Sequence, residues 1–229
     1  HEILTEDYQE ITHQSVYFRL PIKGRENEFL LVWTTTPWTI PANVAVAVDP
    51  KLKYSKVEFE GNIYYVAEPR VSVIVEGVKV IDSVSGKDLV GLEYDGPFDH
   101  LPSVSKALGS YIHRVVENDE LILPISIEEG TGLVHVATGA GTEDFKLGQK
   151  LSLPVIEVID EEANYLTEME EFSGKSAKND PQLVISFLAT KEDGKFLFKT
   201  EKIKHRYPIC WRCKTELVWR VVDEWYISM

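Results

Sequence analysis

The chain has 229 residues, 44 % of them hydrophobic and 27 % charged, with a formal net charge of −13. That mixture describes a soluble globular protein with ample core, with no run near the ~20 apolar residues of a membrane span and no basic-then-apolar leader. The only cysteines form Cys210-x-x-Cys213, which excludes a disulfide scaffold and predicts a reducing, cytoplasmic setting.

In chain order, Ile11 to Leu20 and Phe29 to Thr35 read as strands, with Lys23 to Asn27 as the turn between them. Val44 to Val48 is a compact apolar strand that Asp49-Pro50 ends. Tyr54 to Phe59 and Ile63 to Ala67 flank Gly61-Asn62, a hairpin signal. Val71 to Val75 alternates like a strand but follows Glu68-Pro69, which favours a helical start, so both readings stand. Further strands are expected at Val78 to Val84 and Tyr111 to Val116. Two helices are marked: one capped by Thr142 with Glu143 and Asp144 in its first turn, and one opened by Asp180-Pro181, with Leu183, Val184, Phe187 and Leu188 on one face. The pattern predicts a β-rich α+β body over residues 10–195, a linker over 1–9, and a smaller appendage over 196–229 carrying the cysteines.

Charge is uneven along the chain. Residues 157–171 hold seven acids, whereas Lys195, Lys199, Lys202, Lys204 and Arg206 form a basic stretch broken only by Glu201. The first reads as solvated surface; the second suits either surface or an RNA-facing patch.

Three segments carry chemistry. In Trp33-Thr34-Thr35-Thr36-Pro37-Trp38-Thr39, β-branched residues before a proline favour extended backbone, so hydroxyls alternate in direction at a strand end. They form either a self-satisfied edge or a hydrogen-bonding ledge walled by Trp33 and Trp38; Asn43, just beyond, both donates and accepts. In the second segment, Gly130-Thr131-Gly132 leads into a short strand ending at His135, and Gly139-Ala140-Gly141 precedes the helix that carries Asp144. Strand end and helix start bring an imidazole and a carboxylate towards one cleft. The glycines match neither G-x-G-x-x-G nor a Walker sequence. In the third, Cys210-Trp211-Arg212-Cys213 with Thr215 looks like one knuckle of a zinc ribbon. Structural zinc needs four ligands, and His205 is the nearest other candidate, so half a site is expected.

Together, Trp33 to Thr39 with Pro41-Ala42-Asn43 resembles the signature shared by isoleucyl-, valyl- and leucyl-tRNA synthetases. His135 after Gly130-Thr131-Gly132-Leu133-Val134 follows the isoleucyl pattern, where valyl relatives carry lysine and leucyl ones methionine. His205-Arg206-Tyr207-Pro208, the cysteine knuckle and Trp225-Tyr226-Ile227-Ser228-Met229 are similar to the isoleucyl enzyme's return towards its catalytic domain. The chain departs from the family at Thr138, where proline is usual.

The resemblance covers the whole chain, as an inserted editing domain without the catalytic core, and implies a distorted β-barrel with a few flanking helices. It further implies hydrolysis of mischarged Val-tRNA(Ile) without a cofactor, the tRNA 3′ aminoacyl end and its L-valine moiety as ligands, and the rest of the synthetase in cis. A zinc in the full-length enzyme would use Cys210 and Cys213, with the other Cys pair upstream of His1. Asp144 would hold the substrate ammonium and His135 set the size limit. Thr34, Thr35 and Thr36 would contact the aminoacyl group and terminal adenosine, and Asn43 would orient water or ribose. Trp33, Thr39, Gly139 and Gly141 would line the substrate. A valyl or leucyl editing domain, a non-catalytic tRNA-binding module and a metallohydrolase are the competing readings.

Overall fold

The computed structural model describes residues 8–225 apart from 76 and 224, so most of the 1–9 linker and the final Tyr226 to Met229 lie outside the described residues. Nine strands form one mixed sheet that curls into a half-barrel. They are β1 (Tyr8–Pro21), β2 (Glu28–Thr34), β3 (Ala45–Val48), β4 (Lys53–Phe59), β5 (Asn62–Ala67), β6 (Lys79–Ser85), β7 (Arg114–Glu117), β8 (Val134–Val136) and β9 (Leu197–Pro208). The order is β6-β4-β5-β2-β8-β3-β7, with β1 on the free edge of β2 and β9 beyond it. The helices are short: α1 (Gly86–Leu89), α2 (Pro102–Leu108), α3 (Thr142–Leu151) and α4 (Gln182–Thr190). None is long and apolar enough to cross a membrane, among the described residues.

Strand β2 is the branch point. Its Phe29-to-Thr34 run pairs antiparallel with β1, while its other edge meets β5 at Glu28 to Leu30 and β8 at Trp33, both in parallel. Because β2 is shared on both edges and faces, its residues between Glu28 and Thr34 are all apolar: Leu30 and Val32 point to the main core and Leu31 to a second cluster with Tyr17 and Tyr64. The parallel β8 contact leaves the end of β2, with its threonines, beside the end of β8, with its histidine.

Local chemistry explains most boundaries. The β4–β5 turn has both Glu60 and Gly61 at positive φ (50° and 77°), the backbone of a tight hairpin turn, one residue earlier than the Gly61-Asn62 signal suggested. Residues 71–75, ambiguous in sequence, begin within a 3-10 helix, Glu68–Val73, with proline in its first turn. A second 3-10 helix, Pro37–Ala42, follows the threonines, and all six of its residues are buried. Helix α3 is capped at Gly141 and not at Thr142, whose side chain makes no cap bond. Helix α4 buries Val184, Ile185 and Leu188, so Ile185 joins the buried face while Leu183 and Phe187 pack only partly. Strand β9 pairs with β1 from Phe18↔Leu197 to Tyr8↔Pro208, so the stretch after residue 195 enters the sheet before the chain reaches the cysteines.

Candidate active site

The ends of β2 and β8, the Gly130–Gly132 turn and the start of α3 enclose a cleft of about 300 Å³. Trp33, Thr34, Thr35, Thr36, Thr39, His135 and Asp144 all line it. Two segments nearly a hundred residues apart thus converge as their sequence suggested. Trp38 does not join them: it is buried in the core and walls a neighbouring groove of about 450 Å³ with Tyr207, Trp219 and Arg220. The groove meets the cleft at Thr36, Thr39 and Ala140.

The turn forming the cleft floor is held from three sides. Arg70 donates to the carbonyls of Gly130 (2.8 Å) and Glu128 (2.9 Å), the Tyr54 hydroxyl donates to that of Gly132 (3.0 Å), and the Ala67 N–H donates to that of Thr131 (2.8 Å). Gly132 has φ +75°, and a Cβ there would lie 2.3 Å from that of Ala67. Arg70 and Tyr54 carry no sequence signal for this task, because they act on backbone carbonyls from β4 and from the 3-10 helix after β5. The cleft also takes in Glu129 and Ser126, which no motif marked.

The histidine wall is saturated with hydrogen bonds. His135 Nδ1 lies 2.8 Å from Asn43 Nδ2, and its Nε2 lies 3.1 Å from Thr39 Oγ1. The Thr39 hydroxyl donates to the Thr36 carbonyl (2.8 Å), and the Thr36 N–H donates to Thr34 Oγ1 (3.1 Å). Asn43 is 3 % exposed and absent from the cleft lining, so it meets the site only through His135. Asn43, expected to orient water or ribose, instead holds the imidazole together with Thr39, one on each ring nitrogen. Burial draws the His135 pKa down to about 4, against a smaller opposing contribution from Thr39, so the ring is neutral at pH 7.

The carboxylate corner is the opposite case. Among the described residues, Asp144 accepts one bond, from the Ala137 N–H at 3.3 Å, and forms no ion pair. Burial raises its pKa to about 7; the Ala137 N–H opposes this and Glu143 adds to it. Gly141 makes room for it, since a Cβ there would lie 2.6 Å from Asp144 Oδ2. Gly139 packs against the Ile156 carbonyl instead, and neither glycine lines the cleft. Thr138 is fully buried and donates to the Pro154 carbonyl (2.7 Å).

No cysteine lies in the cleft. The one three-ligand grouping among the described residues, His100 with Glu170 and Glu171, is exposed and outside it. In the knuckle, the Cys210 N–H donates to the Thr215 carbonyl (2.7 Å) and the Lys214 N–H to that of Cys210 (2.9 Å), with Lys214 at φ 59°. This tight turn suits two thiolate ligands on one ion. His205, the nearest other candidate, is committed to His13, Nε2 to Nδ1 at 2.9 Å.

The fold is that of synthetase editing domains. It matches the leucyl-tRNA synthetase editing domain of P. knowlesi with a TM-score of 0.59, over 85 % of this chain and 98 % of that one at 9 % identity. The structure called GlLeuRS-CP1 matches with a TM-score of 0.56, over 82 % and 99 % at 15 % identity. The sequence is then specific: along essentially its whole length the chain is homologous to isoleucine–tRNA ligases. It is 37 % identical over 228 residues to the enzyme of Saccharolobus solfataricus and 39 % over 241 residues to that of Pyrococcus furiosus. It spans 22 % of the length of each. No protein-family model matches the chain.

Proposed function

We propose that this chain proofreads for an isoleucine–tRNA ligase by hydrolysing the ester of mischarged Val-tRNA(Ile). The observation that carries the reading is Asp144, a half-buried carboxylate at the cleft with no cation paired to it among the described residues. Burying a charge unpaired is costly, so the corner is completed by a ligand that brings an ammonium group. An aminoacyl ester brings that group one carbon from its reacting carbonyl.

With the ammonium on Asp144, the ester carbonyl and an attacking water come within reach of the Thr34 and Thr36 hydroxyls. An aminoacyl ester is already activated, so orienting the water and offering hydrogen bonds to the developing oxyanion are enough to hydrolyse it. His135 serves as wall and size gate, since its one acceptor nitrogen is already occupied by Asn43. Isoleucyl-tRNA synthetase is itself the standing example of double-sieve selection, in which one methylene is worth only ~1–3 kcal/mol. The adjoining groove, with Trp38 and Tyr207, offers apolar faces to the terminal adenosine.

The same reading assigns Cys210 and Cys213 to half of a structural zinc site in the whole enzyme. Zinc would tie the β9 end of the insertion to the polypeptide that supplies the other two ligands, and elemental analysis of this chain alone should give well under one equivalent. The first experiment measures deacylation of Val-tRNA(Ile) with and without a chelator. Chelator-resistant hydrolysis supports the editing reading, chelator-sensitive hydrolysis favours a metallohydrolase, and binding without hydrolysis favours a tRNA-binding module.

A further inference from the structure

Tyr94 belongs to none of the motifs. It lies between α1 and α2, fully buried, with its ring stacked on His113 (centroids 5.2 Å apart, planes at 18°). His113 is fixed in turn by the Val44 carbonyl (3.0 Å) and Asp99 (2.8 Å). The Tyr94 hydroxyl donates to Asn43 Oδ1 at 2.7 Å. Burial holds the phenol well above its ordinary range, so it stays a donor throughout the working pH.

The Asn43 amide has only one orientation that satisfies its surroundings. Its Nδ2 lies 3.1 Å from the Ala45 carbonyl, which can only accept, so the NH2 end must face it. Tyr94 occupies the oxygen end. The second Nδ2 proton then points at His135 Nδ1, which must accept it. The single proton of the neutral imidazole falls on Nε2 and is donated to Thr39 Oγ1, whose own proton goes to the Thr36 carbonyl. Every donor in the chain meets an acceptor, and each link has one direction.

We propose that Tyr94 is a positioning residue for the cleft: through Asn43 it locks His135 in the Nε2–H tautomer and leaves the ring no free lone pair facing the substrate. Without the phenol, Asn43 Oδ1 is buried and unsatisfied. The amide then keeps its orientation only through the Ala45 carbonyl, and an inverted amide, which gives up that bond to accept from Nδ1–H, competes with the native one. That inversion frees an Nε2 lone pair beside Thr39 and disorders the threonine ledge. The effect on hydrolysis rests on the editing reading; the tautomer does not.

Long-range 1H–15N correlation of the histidines reads the tautomer directly, with His135 assigned by the loss of its signals in His135→Gln. The parent protein is expected to show Nε2–H with an unprotonated Nδ1. Asn43→Asp, whose carboxylate can only accept, should move the proton to Nδ1. Tyr94→Phe, which keeps the stacked ring, should give a mixture, and both variants should lose more in kcat than in KM for Val-tRNA(Ile). A parent Nδ1–H tautomer overturns the proposal, as does a Tyr94→Phe spectrum identical to the parent's. An unchanged kcat in a variant whose tautomer has moved overturns the positioning role. Should Tyr94→Phe fail to fold, the parent alone decides: a slowly exchanging Tyr94 hydroxyl proton with a cross-peak to the Asn43 amide is required, and its absence overturns the lock. A parent inactive on Val-tRNA(Ile) would sink the editing function and leave the tautomer result standing.

Discussion

The two ionisable groups of the cleft, His135 and the half-buried Asp144, nine residues apart in sequence, are built on opposite terms. His135 has a partner on each nitrogen and is held neutral. Asp144 has a single long backbone bond, no cation, and a pKa raised by burial. A satisfied polar group in a tight wall rigidifies a shape, whereas an under-satisfied carboxyl stores a binding preference. On the proposed editing function, the contrast divides the labour: the histidine side measures the substrate, and the aspartate side attracts it.

The sharpest way to break that division is Asp144→Ala. Losing the partner of a buried ammonium should cut deacylation of Val-tRNA(Ile) by ~100-fold or more, equivalent to about 2.8 kcal/mol. The circular dichroism spectrum should stay unchanged. Near-parental turnover by a folded variant would remove Asp144 from the site.

On the other wall, His135→Ala opens the pocket by about the volume of an imidazole. If the ring sets the size limit, the variant should hydrolyse correctly charged Ile-tRNA(Ile), which the parent spares, with a change worth ~1–3 kcal/mol for one methylene. It should keep part of its activity on the valyl ester. Paired deacylation of both esters is the assay, and joint loss of the two activities would instead make His135 a base.

The sequence carries this division unevenly. Strands β1 to β5 were legible because each has β-branched or aromatic runs bounded by turn residues, and the threonines, His135 and Asp144 were legible as motif members. The saturation of the histidine wall was not: Asn43 looks like a turn residue after Pro41-Ala42, and Tyr94 stands 51 positions from its partner. Arg70 and Tyr54 were hidden for the same reason, since contacts to backbone carbonyls leave no residue pattern. Gly139 and Gly141 were visible but ambiguous. A glycine in a motif marks close approach, and only coordinates tell whether the neighbour is a ligand, the Ile156 carbonyl or the Asp144 carboxylate.

Gly141→Ala sharpens the aspartate side without touching the carboxyl itself. The added methyl, 2.6 Å from Oδ2 where Asp144 now stands, must displace it. Deacylation should fall by ~10-fold, about 1.4 kcal/mol, chiefly through KM, because the ammonium partner moves while the ledge stays. A loss confined to kcat would place the damage on the water or the oxyanion instead.

A stability effect, with no direct reading of activity, separates the two walls by pH. Asp144 has a folded pKa of about 7 against an ordinary 3.8, so its contribution to stability is present below 3.8 and is lost as pH rises through 7. His135 has a folded pKa of about 4 against an ordinary 6.5, so its contribution is present above 6.5 and is lost as pH falls through 4. Over the shared window the two oppose, and their sum is flatter than either part. Asp144→Asn should therefore be more stable than the parent at pH 8, by on the order of 2 kcal/mol or roughly 4–8 °C in Tm, with the advantage gone by pH 4. His135→Gln should lose less stability than the parent on acidification from pH 6.5 to pH 4. Thermal melts of the three proteins across pH 4 to 8 measure both slopes. Parallel curves would mean that neither group is as strained as its burial implies, and the contrast between the walls would be one of shape alone.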